Sequence, residues 1–365
     1  QVESRLKSCC LLVSPFSPSA IAAMPFFVFA WLAVVYAVRQ TSSTRLDKSD
    51  STSVLSADAD GDFDCPCSGL SLESQLARMV AVSYDDKGIR SLQSYAKEIF
   101  SCYTWSDFYY ALPKGGYFQS LLSVLHWTTP TAFVGRCARK PQTCTVAFSG
   151  ATSLNFVAGI MNSSPVRLKK ASNGTIEVSE DGSGYRLHGF YWFVYEVFRD
   201  QIGDKVMKAL EDCKYITVTG HSIGAALAAV FQWEHLDRNM QQITMGQNVA
   251  WYGTPPDVGC RGRRLFSIDD PVPYLRQFWD HGDVIRHALV PGQKLTHNPG
   301  SEKWTAEAPF PCERDQPMDL NCAEGCSPYM PHYNLRITAG IAHHQASAYI
   351  TAIDSAFSPH AKEGS

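Results

Sequence analysis

No run of lysine or arginine interrupts this chain, and its formal net charge is −3. That leaves no basic groove and argues against nucleic acid as a partner. No C-x-x-C pair occurs, and Cys65-Pro66-Cys67 has the wrong spacing for zinc, so neither a metal nor another cofactor is expected. No repeat is visible. Charged residues are few, at 18% against 45% hydrophobic, which describes a globular protein with a sizeable core. A length of 365 residues allows one large α/β domain or two smaller ones.

What the chain does have is Tyr215 to Phe231, reading YITVTGHSIGAALAAVF. Gly220-His221-Ser222-Ile223-Gly224 fits G-x-S-x-G, the nucleophile elbow. Before it, Tyr215 to Thr219 has the composition of a buried strand; after it, Ala225 to Val230 is strong helix former. A chance occurrence in a loop would lack these flanks. At such a turn the serine Oγ projects above the sheet edge, and glycines on either side let strand and helix close up. Ser222 is therefore the expected nucleophile.

The N-terminal region reads differently. Ala20 to Val38 carries no charge and is rich in Phe, Trp, Val and Ala. It is expected to be a signal-peptide core, with Met24 as initiator and cleavage near Ala37. Arg39 behind it supports the alternative, an uncleaved membrane anchor over residues 20–38. Twelve cysteines are present, and ten remain after a leader that takes Cys9 and Cys10 with it. Five bridges in an oxidising compartment fit that even number. The sequons Asn162-Ser163-Ser164 and Asn173-Gly174-Thr175 agree with secretion.

The expected organisation is a leader over 1–37, a disordered Ser/Thr/Asp-rich linker over 38–66, and a folded domain over 67–358. Apolar spacing predicts helices over Leu72–Tyr84, Ile89–Phe100 and, at most, Tyr191–Leu210. Strands are predicted at Thr131–Arg136, Thr145–Phe148, Asn248–Gly253 and Leu275–Trp279. Cys137 and Cys144 bracket the turn between the first two, which suggests a bridge across that hairpin. Strands alternating with helices argue for an α/β fold, a mostly parallel sheet with helices on both faces.

Several of these blocks, in order, resemble the fungal-type (class 3) lipases of the α/β-hydrolase fold, from about Leu72 to Ile353. Thr145-Val146-Ala147-Phe148-Ser149-Gly150 is similar to the family's oxyanion strand, and His188-Gly189-Phe190 to its H-G-F helix opening. Gly220 to Ala228 is close to GHSLGGALA, and Tyr252 to Gly259 is similar to the G-x-P-R-V-G turn. The resemblance implies a serine carboxylester hydrolase acting on acylglycerol-type lipid esters at a lipid–water interface. Phospholipase A1 and feruloyl-type esterase activities are the alternatives in that class; a catalytically weak lipase-fold binding protein is the alternative outside it.

Acyl transfer by serine needs a base and a carboxylate that orients it, in the chain order Ser, Asp/Glu, His. The resemblance places the acid at Asp283, in the family's N-x-x-D-x-V block. Asp270 imitates the D-x-V-P tail more literally, but lies close behind the Gly253–Gly259 turn and before the strand expected to present the acid. The base is expected at His344, five residues before Tyr349, with His343 as alternative. His221 is expected to pack beneath the turn. The oxyanion donors are expected to be the N–H groups of Ile223 and Ala151, or of Thr152 if the loop shifts by one residue. Ala151 stands where the family has Thr or Ser, so a hydroxyl donor is missing. Leu154 to Met161 falls where these lipases carry a lid, although a buried helical turn reads equally well. Lys169 and Lys170 fit either an anionic interface or a solvated face.

Overall fold

The computed structural model describes residues 62–67, 69–84, 97–106, 109–110, 131–150, 164–267, 269–270, 272–274, 285–286, 290–297, 303–309 and 344–357. The chain divides into units Gln1–Leu46 and Asp47–Ser365, and every described residue belongs to the second. The described residues include Asp62 to Pro66, ahead of the expected domain start at residue 67. Cys65 is bridged to Cys137, and the Asp62 carbonyl accepts a hydrogen bond from the Thr143 hydroxyl.

Helix α1 (Leu72–Ser83) starts where the Ser71 hydroxyl accepts the Ser74 N–H, a side-chain N-cap. Strands β1 (Tyr103–Trp105), β2 (Tyr109–Tyr110), β3 (Thr131–Cys137) and β4 (Thr143–Phe148) follow. Three strands, β5 (Pro165–Lys170), β6 (Ile176–Val178) and β7 (Tyr185–His188), then precede α2 (Gly189–Phe198). A π-helical turn over Arg199–Gly203 joins α2 to α3 (Asp204–Ala209). Next come β8 (Tyr215–Gly220), α4 (Ile223–Glu234), β9 (Met240–Met245), β10 (Trp251–Tyr252) and β11 (Gly262–Ser267). Strands β12 (Ile285–Arg286), β13 (Gly292–His297) and β14 (Trp304–Ala306) lead to the C-terminal α5 (Ala346–Phe357).

The central sheet runs β1-β3-β4-β8-β9-β11-β13-β14, with β2 added beside β3. Its middle, β4 through β13, is parallel, and antiparallel strands close both sides. Alternation along β8 sends Ile216 and Val218 to the face covered by α2, α3 and α4. The opposite face, with Phe133, Ala147, Ile243 and Leu265, is covered by α1 and α5. This is the α/β-hydrolase architecture, helices on both faces of a mostly parallel sheet. A second sheet, β12-β10-β7-β5-β6, is antiparallel throughout.

Two expectations need correction. Cys137 and Cys144 do not pair with each other. In the β3–β4 register Arg136 lies opposite Cys144, so Cys137 is one residue off and its side chain points to the other face. Cys137 joins the core under α1 and bonds Cys65; Cys144 joins the core under α2 and bonds Cys213. Cys67 bonds Cys102, and Cys260 is bridged to a partner outside the described residues. The strand expected over Asn248–Gly253 is limited to Trp251–Tyr252 and belongs to the second sheet, not the central one. The candidate strand Leu275–Trp279 and most of the helix expected over Ile89–Phe100 lie outside the described residues. Among the described residues no helix is long and apolar enough to cross a membrane.

Candidate active site

The elbow is built by crowding. Strand β8 ends at Gly220, helix α4 begins at Ile223, and Ser222 between them is held at φ 58° and ψ −124°. Non-glycine residues avoid positive φ because Cβ crowds the backbone, so this strain persists only where packing imposes it. A Cβ on Gly220 would lie 2.3 Å from the Gly224 carbonyl oxygen, and one on Gly224 would lie 2.4 Å from that of Phe148. Larger residues at either position would force strand and helix apart. The Ser222 hydroxyl makes no capping bond to the helix it precedes, which leaves it free for chemistry.

The carboxylate comes from the end of β11. Asp270 is wholly buried three residues beyond that strand. Its Oδ1 accepts the Val272 N–H at 2.9 Å. Its Oδ2 lies 2.8 Å from His344 Nδ1 and accepts the Tyr349 hydroxyl at 2.6 Å. Gly246, at φ 54°, makes room: a Cβ there would stand 3.0 Å from that same oxygen and 3.1 Å from the Tyr349 ring. The carboxylate beside His344 is thus Asp270 rather than the expected Asp283, which lies outside the described residues. The reason is topological. The central strand next to the elbow strand is β9, and Trp251–Tyr252 belongs to the second sheet, so β11 is the next central strand outward. Asp270 follows that strand directly and is not too early for an acid.

His344 is delivered by α5, two residues before the helix begins. That helix is fastened to α1 by Arg78, whose guanidinium makes two bonds to Asp354, at 2.7 and 2.9 Å, and a third to Glu98. The His344 ring lies 4.5 Å, centroid to centroid, from that of His221, the neighbour of Ser222. So β8, β11 and α5 converge on the residues flanking the elbow. His343 lies outside the described residues.

His221 sits beneath the turn, as its place in the motif implied. It is buried, and desolvation, with the nearby His344 adding to it, holds its pKa well below the usual imidazole value, so the ring is neutral. Its Nδ1 is 2.6 Å from the Tyr84 hydroxyl. The Ile223 N–H opens α4, where the first amides have no acceptor inside the helix and the dipole favours negative charge. Gly150, the last described residue of the loop after β4, packs against the elbow; a Cβ on it would be 2.6 Å from the His221 carbonyl oxygen. Ala151, Thr152 and the lid candidate Leu154–Met161 lie outside the described residues.

Elsewhere the expected features are quieter. Lys169 bonds Asp181 at 3.1 Å and Lys170 bonds the Glu234 carbonyl at 3.1 Å, so both lysines are engaged within the protein. Among the described residues no group of three or more His, Cys, Asp or Glu side chains is placed to hold a metal.

Residues 145–261 match the lipase (class 3) family. No curated protein matches the chain. Among solved structures it is similar to a Rhizomucor miehei lipase–propeptide complex carrying a two-residue deletion, at 18% identity and a TM-score of 0.44, over 62% of this chain and 66% of that one. It is similar to the Lip2 lipase of Yarrowia lipolytica at 17% identity and a TM-score of 0.43, over 62% and 78%. A triacylglycerol lipase from Penicillium expansum matches at 14% identity and a TM-score of 0.41, over 61% and 77%. The chain thus spans just under two thirds of the first of these.

Proposed function

From a chain of the class 3 lipase family, matched over residues 145–261, we propose a serine carboxylester hydrolase that uses Ser222, His344 and Asp270 on acylglycerol-type lipid esters. The observation that carries this reading is the bond from His344 Nδ1 to the buried Asp270 carboxylate beside the elbow. With Nδ1–H committed to the carboxylate, Nε2 is the free base. It takes the Ser222 proton as Oγ attacks the ester carbonyl. The tetrahedral oxyanion is held by the Ile223 N–H and by that of Ala151, whose missing hydroxyl costs rate rather than changing the reaction. Collapse breaks the C–O bond; His344 returns the proton to the leaving alcohol, and an acyl group remains on Ser222. Water, deprotonated by the same histidine, then releases the carboxylic acid and restores the serine.

The reading extends to secretion, with a leader through residue 37 removed. All seven described cysteines are in disulfides, the habit of an oxidising compartment, and the Asn173 sequon lies at the exposed turn between β5 and β6. The test is hydrolysis of short- and long-chain acylglycerols, phospholipids and feruloyl esters by the wild type and Ser222→Ala. Ser222-dependent turnover with preference for acylglycerols is expected. Turnover that survives in Ser222→Ala would refute the mechanism, and preference for another panel member would refute the substrate class.

A further inference from the structure

The residue that closes helix α1 reaches farther than a cap needs to. Tyr84 follows Ser83, and its backbone N–H satisfies the carbonyls of Ala81 and Val82. Its side chain continues to the elbow. The hydroxyl lies 2.6 Å from His221 Nδ1 and packs directly against the Gly150 backbone. Space at this point is tight, since a Cβ on Gly150 would fall 2.0 Å from that hydroxyl. The phenol's pKa is pushed above its usual value by burial, so it stays a neutral donor and acceptor at working pH.

We propose that Tyr84 is a positioning residue for the ester hydrolysis assigned above: its hydroxyl clasps Gly150, at the end of β4, to His221 of the elbow. The inference rests on that functional reading. One hydroxyl can do both jobs, packing against the Gly150 backbone and donating its hydrogen to His221 Nδ1, because the imidazole is neutral and offers a lone pair. The clasp joins the two parts of the chain that meet at the oxyanion side of the serine. Donors there stabilise a transition state only if already in place when charge develops. Without the hydroxyl, His221 Nδ1 loses its partner and Gly150 loses the atom it packs against, so the two can drift apart. A misplacement of this kind acts on the transition state more than on the bound ester, so it belongs in kcat. A mere core tyrosine would instead affect stability and leave turnover per folded molecule unchanged.

The test is Tyr84→Phe, which keeps the ring and removes one oxygen. Turnover is measured on a short-chain ester and divided by active sites titrated to completion with a serine-directed phosphonate, so misfolded protein does not count. Binding of a trifluoromethyl ketone, which forms a tetrahedral adduct, is measured beside binding of the matching unreactive alcohol. The expected result is a fall in kcat of roughly tenfold to a hundredfold, in the range of one lost buried hydrogen bond, with KM within about twofold. The ketone should weaken by a similar factor and the alcohol hardly at all. A kcat per titrated site within about twofold of wild type would overturn the proposal. So would a loss confined to KM, or equal weakening of both ligands. Wild-type protein that cannot be titrated at Ser222 would instead refute the underlying mechanism, and this inference with it.

Discussion

Replacing Asp270 by Asn removes one charge and changes almost no volume. Three donors surround the carboxylate: His344 Nδ1–H and the Tyr349 hydroxyl on Oδ2, and the Val272 N–H on Oδ1. An asparagine has one acceptor oxygen and one donor nitrogen, so either orientation fails somewhere. If the oxygen faces His344, the amide nitrogen meets the Val272 N–H. If the amide faces His344, the imidazole must turn to its other tautomer, and Nε2 can no longer accept the serine proton. The stability cost is about 1–3 kcal/mol, that of an unpaired buried donor. The catalytic cost is larger: a carboxylate-to-amide change in a triad lowers kcat by about 10⁴, equivalent to about 5.5 kcal/mol. The assay is steady-state hydrolysis of a short-chain ester by Asp270→Asn and Asp283→Asn, each corrected for folded fraction by near-UV circular dichroism. Asp270→Asn should keep less than about a hundredth of kcat, and Asp283→Asn should remain within about threefold of wild type. The opposite ranking, or an Asp270→Asn enzyme retaining a tenth of its activity, would refute the assignment of the acid.

Three further outcomes follow from the same geometry. His221 is held neutral with its pKa depressed, so below the ordinary value of 6.5 the unfolded chain binds a proton that the folded one does not. Its contribution to stability is complete above that pH and is lost as pH falls, by up to about 1.4 kcal/mol per pH unit; urea unfolding at pH 7.5 and 5.5 should show a smaller difference for His221→Gln than for wild type, and equal differences would contradict this. Peptide mapping without reduction should recover Cys65–Cys137, Cys67–Cys102 and Cys144–Cys213; a Cys137–Cys144 peptide would contradict the strand register. Arg78→Met leaves Asp354 without the cation that pins α5 to α1, so thermal unfolding should come earlier by several degrees, for a loss of roughly 1–3 kcal/mol; an unchanged melting temperature would show that the apolar contact alone holds the helix.

The elbow was legible because one local pattern carried everything it needed: apolar strand, glycine-flanked serine, alanine-rich helix. Helix α1 and the β3–β4 hairpin were equally local and fall close to their expected bounds. Strand β9 was overlooked because Met240-Gln241-Gln242-Ile243-Thr244-Met245 is half polar, yet every residue in it is buried. Its polar side chains find partners on neighbouring segments: Gln241 donates to Thr217, and Gln242 and Thr244 both donate to Gln247. Burial of such a strand is affordable only through contacts that no linear pattern reveals. Missing β9 moved the central sheet onto Trp251–Tyr252 and pushed the expected acid downstream to Asp283. The literal likeness of Asp270-Pro271-Val272-Pro273 to the family's tail is the signal that agrees with the carboxylate found beside His344. Gly246 and the Tyr349 hydroxyl had no signal of their own, since their roles exist only once Asp270 stands between them. The disulfide between neighbours in sequence failed for a related reason: spacing along a hairpin does not say which face a side chain takes.

The central claim is that Ser222 is a nucleophile activated by the His344–Asp270 pair. It is tested most directly by reacting the folded protein with a serine-directed fluorophosphonate and mapping the adduct by mass spectrometry, for the wild type, Ser222→Ala and Asp270→Asn. The account predicts one adduct per chain, on Ser222. It also predicts none on Ser222→Ala, and on Asp270→Asn labelling slowed by orders of magnitude. An adduct on another serine, or Asp270→Asn labelled at the wild-type rate, would contradict it.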